Sequence, residues 1–375
     1  MKNNSSLGIY IHVPFCAAKC AYCDFYSLAG HPEQMDAYVR LLCQQLTRRA
    51  PQCTDYTVDT VYLGGGTPSL LGGARIARLL HTVQQQFCVA PDAEITVEAN
   101  PDSMTDTFLS AARAAGANRL SMGIQSAHDS ELRAMGRIHT FAQAQDAFLR
   151  ARRAGFANLS VDLMYALPGQ TASLLLESLH ALLELEPEHV SCYGLTVEPD
   201  TPLGRSHPVL PDEDTQAELY LLLCSRLAQA GFEHYEISNF ARAPHLRSRH
   251  NSRYWAQLPY LGFGPGAHAD FGGMRTAVPR DLTAWLAGDA KPVCEDADID
   301  RAAEYIMLSL RTADGWDACH YRTVFGRDPA PVARALDALP SDYIIQAGSR
   351  RHLTDRGFLV SNAIILAALD AAQSC

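Results

Sequence analysis

The sequence has no apolar run long enough to span a bilayer, and its first residues, MKNNSSLGIYIHV, hold no long apolar core followed by a small-residue cleavage site. It has no excess of positive charge. Its 31 Lys and Arg against 41 Asp and Glu leave a formal net charge of -10, which argues against a general electrostatic hold on nucleic acid, since that needs a basic face to displace counterions. Nor does it have the composition of a disordered chain, with 47% hydrophobic and 19% charged residues. A secreted disulfide framework is also missing: the eleven cysteines are odd in number and scattered over 375 residues. These absences read as a folded, cytoplasmic protein with no transmembrane segment and no nucleic-acid partner.

What is present is alternation. Short β-rich runs at 7–13, 60–66, 94–100, 119–125, 158–167 and 190–197 are each followed by a helical pattern, from DAYVRLLCQQLTRRA to DTQAELYLLLCSRLAQAG. Six βα units predict parallel strands joined by crossover helices. Glu98, Gln125 and Asp162 fall near the C-terminal ends of three successive strands, where barrel enzymes assemble their sites, which favours a barrel over an open sheet. The predicted fold is therefore α/β: a partial (β/α)6 TIM-type barrel over residues 1–240, then a connecting layer over 241–297 rich in Arg, Gly, Pro and aromatics. A small, mainly helical C-terminal domain over 298–375 completes it.

Cys16, Cys20 and Cys23 follow the first strand at spacings of four and seven. Thiolates so grouped are soft ligands for zinc, copper(I) or iron and sulfur. Those spacings share a helix face, but Pro14 ahead and the turn-like CDFYS behind favour a loop. Two solutions remain open on spacing: a closed zinc site with His12 as fourth ligand, or an iron–sulfur cluster with one iron free of protein ligands. The second strand ends in GGGTPS (64–69), which without a lysine is no P-loop and has no dinucleotide-fingerprint spacing, yet offers bare backbone to a ligand. Glu98 and Asp162 could accept from ribose hydroxyls or an ammonium, Gln125 could donate and accept, and Arg137 could pair with a carboxylate.

The CxxxCxxC spacing resembles that of the radical S-adenosylmethionine (radical SAM) enzymes, whose three cysteines hold a 4Fe-4S cluster and whose unique iron binds S-adenosylmethionine. The resemblance implies a cluster on Cys16, Cys20 and Cys23. It implies cofactor contacts from Tyr10, Tyr22, Gly65, Gly66, Thr67, Pro68, Glu98, Gln125, Arg137 and Asp162. Over nearly its whole length the chain is similar to the group that contains oxygen-independent coproporphyrinogen III oxidase and the heme chaperone HemW. Phe25 stands where the oxidase pattern has a further cysteine, and the oxidases' N-terminal extension does not precede the first strand; both departures point to the chaperones. HNSRYW (250–255) matches the HNxxYW motif associated with heme in that branch. It implies heme contacts from His250, Asn251, Tyr254 and Trp255, with Arg247, Arg249 and Arg253 as candidates for the propionates. The expected function is that of a heme chaperone holding a 4Fe-4S cluster, S-adenosylmethionine and heme, with heme as cargo for an unidentified acceptor hemoprotein. Whether it forms a homodimer is left open. Two other readings stand beside it: a porphyrinogen oxidase, and a zinc-stabilised binding module.

Overall fold

The computed structural model describes residues 5–373. They form two compact units, one of residues up to 212 together with 259–297, the other of 213–258 together with the residues from 298 onward. The helix Glu213–Gln229 and the HNSRYW segment thus belong with the C-terminal helices, whereas the sequence reading set its boundaries at 240 and 297.

The first unit is built on six strands and the five helices that connect them, β1 (Ser5–Val13), α1 (Met35–Arg49), β2 (Tyr56–Gly65), α2 (Gly73–Gln86), β3 (Val89–Ala99), α3 (Asp106–Ala114), β4 (Arg119–Gln125), α4 (Phe141–Arg153), β5 (Asn158–Tyr165), α5 (Ala172–Leu183) and β6 (His189–Gly194). The strands lie side by side in chain order and every neighbouring pair is parallel, the partial TIM-type arrangement expected from the alternation. Thr105, Thr140 and Thr171 start α3, α4 and α5 by accepting a backbone N–H into the side-chain hydroxyl, which satisfies donors that the first helical turn leaves open.

Successive strand residues face opposite ways. Ile9, Ile11, Val61, Leu63, Val97, Leu120, Met122, Val161 and Leu163 form one buried apolar row, each side chain contributing about 1.5–3 kcal/mol by leaving water. The alternate row carries Tyr10, Tyr62, Glu98, Ser121, Gly123 and Asp162. The register sets Tyr10 beside Tyr62, Glu98 beside Ser121, and Asp162 between Gly123 and Ser191. A one-residue slip would exchange the rows, so burial of the apolar row fixes where the polar groups meet.

Residues 241–297, expected as a connecting layer, carry strands. Tyr260–Phe263 pairs in parallel with β1, followed antiparallel by His268–Phe271, Met274–Ala277 and Val293–Asp296. Gly272 and Gly273 turn the His268–Ala277 hairpin with φ of 65° and 80°, a two-residue turn that glycine makes without strain.

The second unit is mainly helical. Its helices Glu213–Gln229, Arg249–Trp255, Arg301–Ser309, Ala318–Phe325, Ala330–Asp337 and Ser361–Gln373 accompany a three-stranded sheet of Trp316–Asp317, Arg350–Leu353 and Ile344–Ala347. Trp316, Ile306, Leu310, Val332, Leu336 and Ala368 are buried there. Among the described residues no helix is long and apolar enough to cross a membrane.

Candidate cluster and cofactor site

The loop after β1 is tied to the glycine run that ends β2. Gly66 N–H donates to the Val13 carbonyl at 2.8 Å and Thr67 N–H to the Phe15 carbonyl at 2.7 Å, while Phe15–Cys16 pairs with Leu28–Ala29 as a short parallel bridge. Phe15 is buried edge-on against Tyr38, ring centroids 5.2 Å apart. Farther along the loop, Ala21 N–H donates to the Met135 carbonyl at 2.9 Å. The cysteines are therefore carried by a loop pinned at both ends, and all three are half-buried free thiols.

Cys16, Cys20 and Cys23 line one cavity of about 360 Å³ whose other walls include Tyr22, Gly65, Gly66, Thr67, Glu98, Gln125, Arg137 and Asp162. The structure thus brings together eleven residues that the sequence singled out. Phe25 also lines it and is 68% exposed. Tyr10 and Pro68 do not line the cavity: Tyr10 stacks on Tyr62 at 6.1 Å, and Pro68 opens the short helical turn after the glycines. The four motif residues His250, Asn251, Tyr254 and Trp255 belong to the second unit.

Each wall has a local cause. A Cβ on Gly66 would lie 2.7 Å from the Phe15 carbonyl oxygen and 2.8 Å from that of Val13, so only glycine lets the two loops meet. Glu98 accepts from Tyr62 Oη at 2.7 Å and from Gly65 N–H at 3.0 Å, which holds the glycine run against β3. Arg137 donates to Cys20 Sγ at 3.5 Å, to Asn100 Oδ1 at 2.9 Å and to the Gly123 carbonyl. Thr67 Oγ1 donates to Cys16 Sγ at 3.5 Å and accepts from Asn100 Nδ2 at 3.0 Å.

The electrostatics favour a cation. Burial pushes the Glu98 carboxyl up to about 7, with the Asp162 charge adding to the rise, and burial pushes Asp162 up to about 6. Two acids resisting ionisation in one cavity gain by meeting a positive ligand. Burial also raises the Cys16 and Cys23 thiols above their ordinary range. Gln125 ends β4 with φ of 76° and its Oε1 is buried without a hydrogen-bond partner. An orphaned acceptor on a left-handed backbone, beside a cavity, is a feature that the fold itself does not require.

His12 is committed elsewhere. Its Nε2 donates to the Tyr26 carbonyl at 2.8 Å and its Nδ1 accepts from Tyr10 Oη at 3.0 Å, and burial pulls it down to about 4, so it is a neutral structural imidazole. The fourth ligand of a closed zinc site is thus not supplied by His12 in this arrangement. Asn100, Ser121, Gly123 and Tyr193 line the cavity and were not singled out in the sequence. The signal was there in period two: Asn100 is two residues past Glu98, and Ser121 and Gly123 lead to Gln125.

The HNSRYW segment forms the helix Arg249–Trp255, started by Ser248 Oγ accepting from Asn251 N–H. His250 is fully buried, its Nε2 2.9 Å from Tyr254 Oη, and burial beside Arg253 pulls it down to about 3.

The sequence profile of the Radical SAM superfamily matches residues 10–182. The heme chaperone HemW of Mycobacterium tuberculosis (strain ATCC 25618 / H37Rv) is 37% identical, the match covering 96% of this chain and 93% of that protein. That of Bacillus subtilis (strain 168) is 34% identical, over 96% of this chain and 98% of that one. Among solved structures, coproporphyrinogen III oxidase (HemN) from Escherichia coli, described as a Radical SAM enzyme, superposes with a TM-score of 0.84 at 23% identity, covering 97% of this chain and 90% of that one. That likeness establishes a shared fold.

Proposed function

Since the chain belongs to the radical SAM superfamily and, within it, to the family of the heme chaperone HemW, we propose that it holds a 4Fe-4S cluster and S-adenosylmethionine in the first unit, binds heme, and delivers heme to an acceptor hemoprotein. The observation that carries the cofactor half is the single cavity shared by the three thiols, the glycine run and the Glu98–Asp162 pair.

The residues fit the groups. Cys16, Cys20 and Cys23 would hold three irons of the cluster; when bound, the cluster supplies an electron and one iron open to an outside ligand. The bare backbone of Gly65 and Gly66 leaves room for the methionine end of the cofactor, and Arg137 offers its guanidinium beside Cys20 for a carboxylate. S-adenosylmethionine carries an ammonium and a sulfonium, and Glu98 and Asp162 supply the acidic wall that favours such a cation. Gln125 Oε1 offers an acceptor that the protein itself leaves unused.

Relatives of this chain along nearly its full length carry the name heme chaperone, which supports the cargo half of the reading. Phe25, largely exposed at the cysteine loop, supports it from the residues: the position that would supply a further thiol to the oxidases supplies an apolar ring. The test is one anaerobic reconstitution followed in parallel by hemin binding, by heme transfer to an apo-hemoprotein, and by coproporphyrinogen III turnover. Hemin binding and transfer without turnover is the expected result. Turnover without transfer would replace the chaperone by the oxidase.

A further inference from the structure

In the second unit one thiol, one imidazole and one carboxylate converge. Cys224 lies in the helix Glu213–Gln229, His234 in the strand Glu233–Glu236, and Asp355 in the short helix Asp355–Leu359, 121 positions beyond His234. His234 Nδ1 is 2.8 Å from Asp355 Oδ1 and 4.0 Å from Cys224 Sγ, and one ligand atom from each of the three residues falls within 4.8 Å of the others. A proton on Nδ1 serves the carboxylate and leaves the buried thiol beside the same nitrogen, whereas a single cation serves all three.

The imidazole is oriented by packing. It lies flat on Phe240, ring centroids 4.2 Å apart at 13°, with Phe358 tilted against it at 5.0 Å and Tyr220 edge-on at 6.1 Å. Its Nε2 is buried without a hydrogen-bond partner, so Nδ1 is the nitrogen through which the ring acts. Thr354 Oγ1 accepts from Gly357 N–H at 3.0 Å and fixes the turn that carries Asp355. The Asp355 side chain is half-exposed, and among the described residues its carboxylate has no hydrogen-bond or ion-pair partner but His234. Cys224 is buried. The group thus has a closed side of thiol and aromatic rings and an open side at the carboxylate, by which an ion can enter.

We propose that Cys224, His234 and Asp355 form a metal site of their own, which takes a zinc-type divalent cation through Sγ, Nδ1 and a carboxylate oxygen and leaves a fourth position to solvent. A mixed sulfur, nitrogen and oxygen set suits zinc, whereas copper(I) favours sulfur and magnesium or calcium favours oxygen alone. At zinc bond lengths of about 2.0–2.3 Å and tetrahedral angles, neighbouring ligand atoms stand roughly 3.4–3.6 Å apart. The thiol and imidazole therefore close slightly, and the half-exposed carboxylate swings from its hydrogen bond onto the ion. As the ion binds, the thiol gives its proton to solvent, and so does Nδ1 where it carries one. The ion would tie together three segments far apart in sequence. All three residues lie in the second unit, so the site stands or falls apart from the cluster and heme readings.

Full-chain protein, its cluster reconstituted anaerobically, is dialysed against zinc(II), and zinc, iron and sulfide per chain are measured together. The wild type is expected to hold about one zinc per chain besides its cluster and to gain thermal stability from it. Cys224→Ser, which keeps the size of the side chain, is expected to weaken zinc binding at least about tenfold, the scale on which even the supporting residues of a metal site act. Asp355→Asn should weaken it several-fold, and iron and sulfide should be unchanged in both variants. Thermal unfolding without zinc checks the fold; Asp355 is half-exposed, so Asp355→Asn decides the question should Cys224→Ser fail to fold. In full-chain protein carrying Cys16→Ser, Cys20→Ser and Cys23→Ser, which removes the competing thiols, cobalt(II) should still give a thiolate-to-metal absorption, and adding Cys224→Ser should abolish it. Wild-type protein that takes up no zinc once its cluster is loaded, variants that hold zinc as tightly as the wild type, or a cobalt absorption that survives Cys224→Ser would overturn the site and leave His234 and Asp355 as a hydrogen-bonded pair.

Discussion

Arg137 Nη1 lies 3.5 Å from Cys20 Sγ, 117 positions away in sequence. The same guanidinium closes on Asn100 and on the Gly123 carbonyl, so one side chain ties the cysteine loop to the ends of β3 and β4.

Arg137→Met removes the charge beside Cys20 and leaves the Gly123 carbonyl and Asn100 Oδ1 without this donor, at about 1–3 kcal/mol for a buried group so orphaned. The variant is expected to unfold at lower urea and to retain less iron and sulfide per chain after anaerobic reconstitution. Arg137→Lys keeps the charge without the fork, so iron content should recover more fully than the urea midpoint. Equal loss in both variants would mean that geometry alone, and not charge, holds the loop.

Glu98 makes stability depend on pH in a defined direction. Its folded carboxyl titrates near 7 against an ordinary 4.5 because burial disfavours the charge. The folded state binds this proton more tightly than the unfolded state, so the contribution is fully present below about 4.5 and is lost as pH rises through about 7. Asp162, at about 6 against 3.8, acts in the same sense. Buried neutral histidines such as His12 pull the other way in acid, so the difference between wild type and Glu98→Gln isolates the term. Without cofactor, the variant should gain on the wild type by up to about 3 kcal/mol between pH 5 and pH 8 in chemical unfolding. A constant difference across that range would remove the assignment.

The barrel was legible because burial leaves a period: Ile9 and Ile11, Val61 and Leu63, Val161 and Leu163 alternate with polar partners, and each run is followed by an amphipathic helix. The cavity was legible in outline because Cys16, Gly65, Glu98, Gln125 and Asp162 fall at the ends of successive strands. Asn100 escaped notice because its role depends on Thr67 and Arg137, which no local pattern connects to it. The strands at 260–296 were missed because they are four residues long, too short for alternation to show, although Gly272-Gly273 announces the turn. His250 illustrates another limit: a motif names residue types, but which of them faces solvent is decided by helix phase and packing.

Gly66→Ala should test the meeting of the two loops. Its Cβ would press on the Val13 and Phe15 carbonyl oxygens, both backbone atoms that cannot rotate away. Overpacking of this kind destabilises by about 1–3 kcal/mol. The larger consequence is expected in cofactor content, because Thr67, one residue on, donates to Cys16 Sγ. Unchanged unfolding and unchanged iron loading would show that the loops part easily and that the glycine is incidental.

Gln125 separates stability from binding. Its φ of 76° places a side-chain-bearing residue in the region that favours glycine, and its Oε1 is buried without a partner beside the cavity. Both features strain or desolvate the protein without cofactor, so Gln125→Gly should stabilise that form by up to about 1 kcal/mol. On the proposed reading the amide is kept for S-adenosylmethionine, and the same variant should bind the cofactor at least several-fold more weakly when titrated calorimetrically against cluster-loaded protein. Gln125→Asn, whose shorter amide tolerates the left-handed backbone, should keep the wild-type backbone and recover part of the affinity. A glycine variant that is more stable and binds equally well would show the strain to be incidental. One that is less stable would show that the side chain supports the end of β4, and that its acceptor is not reserved for a ligand.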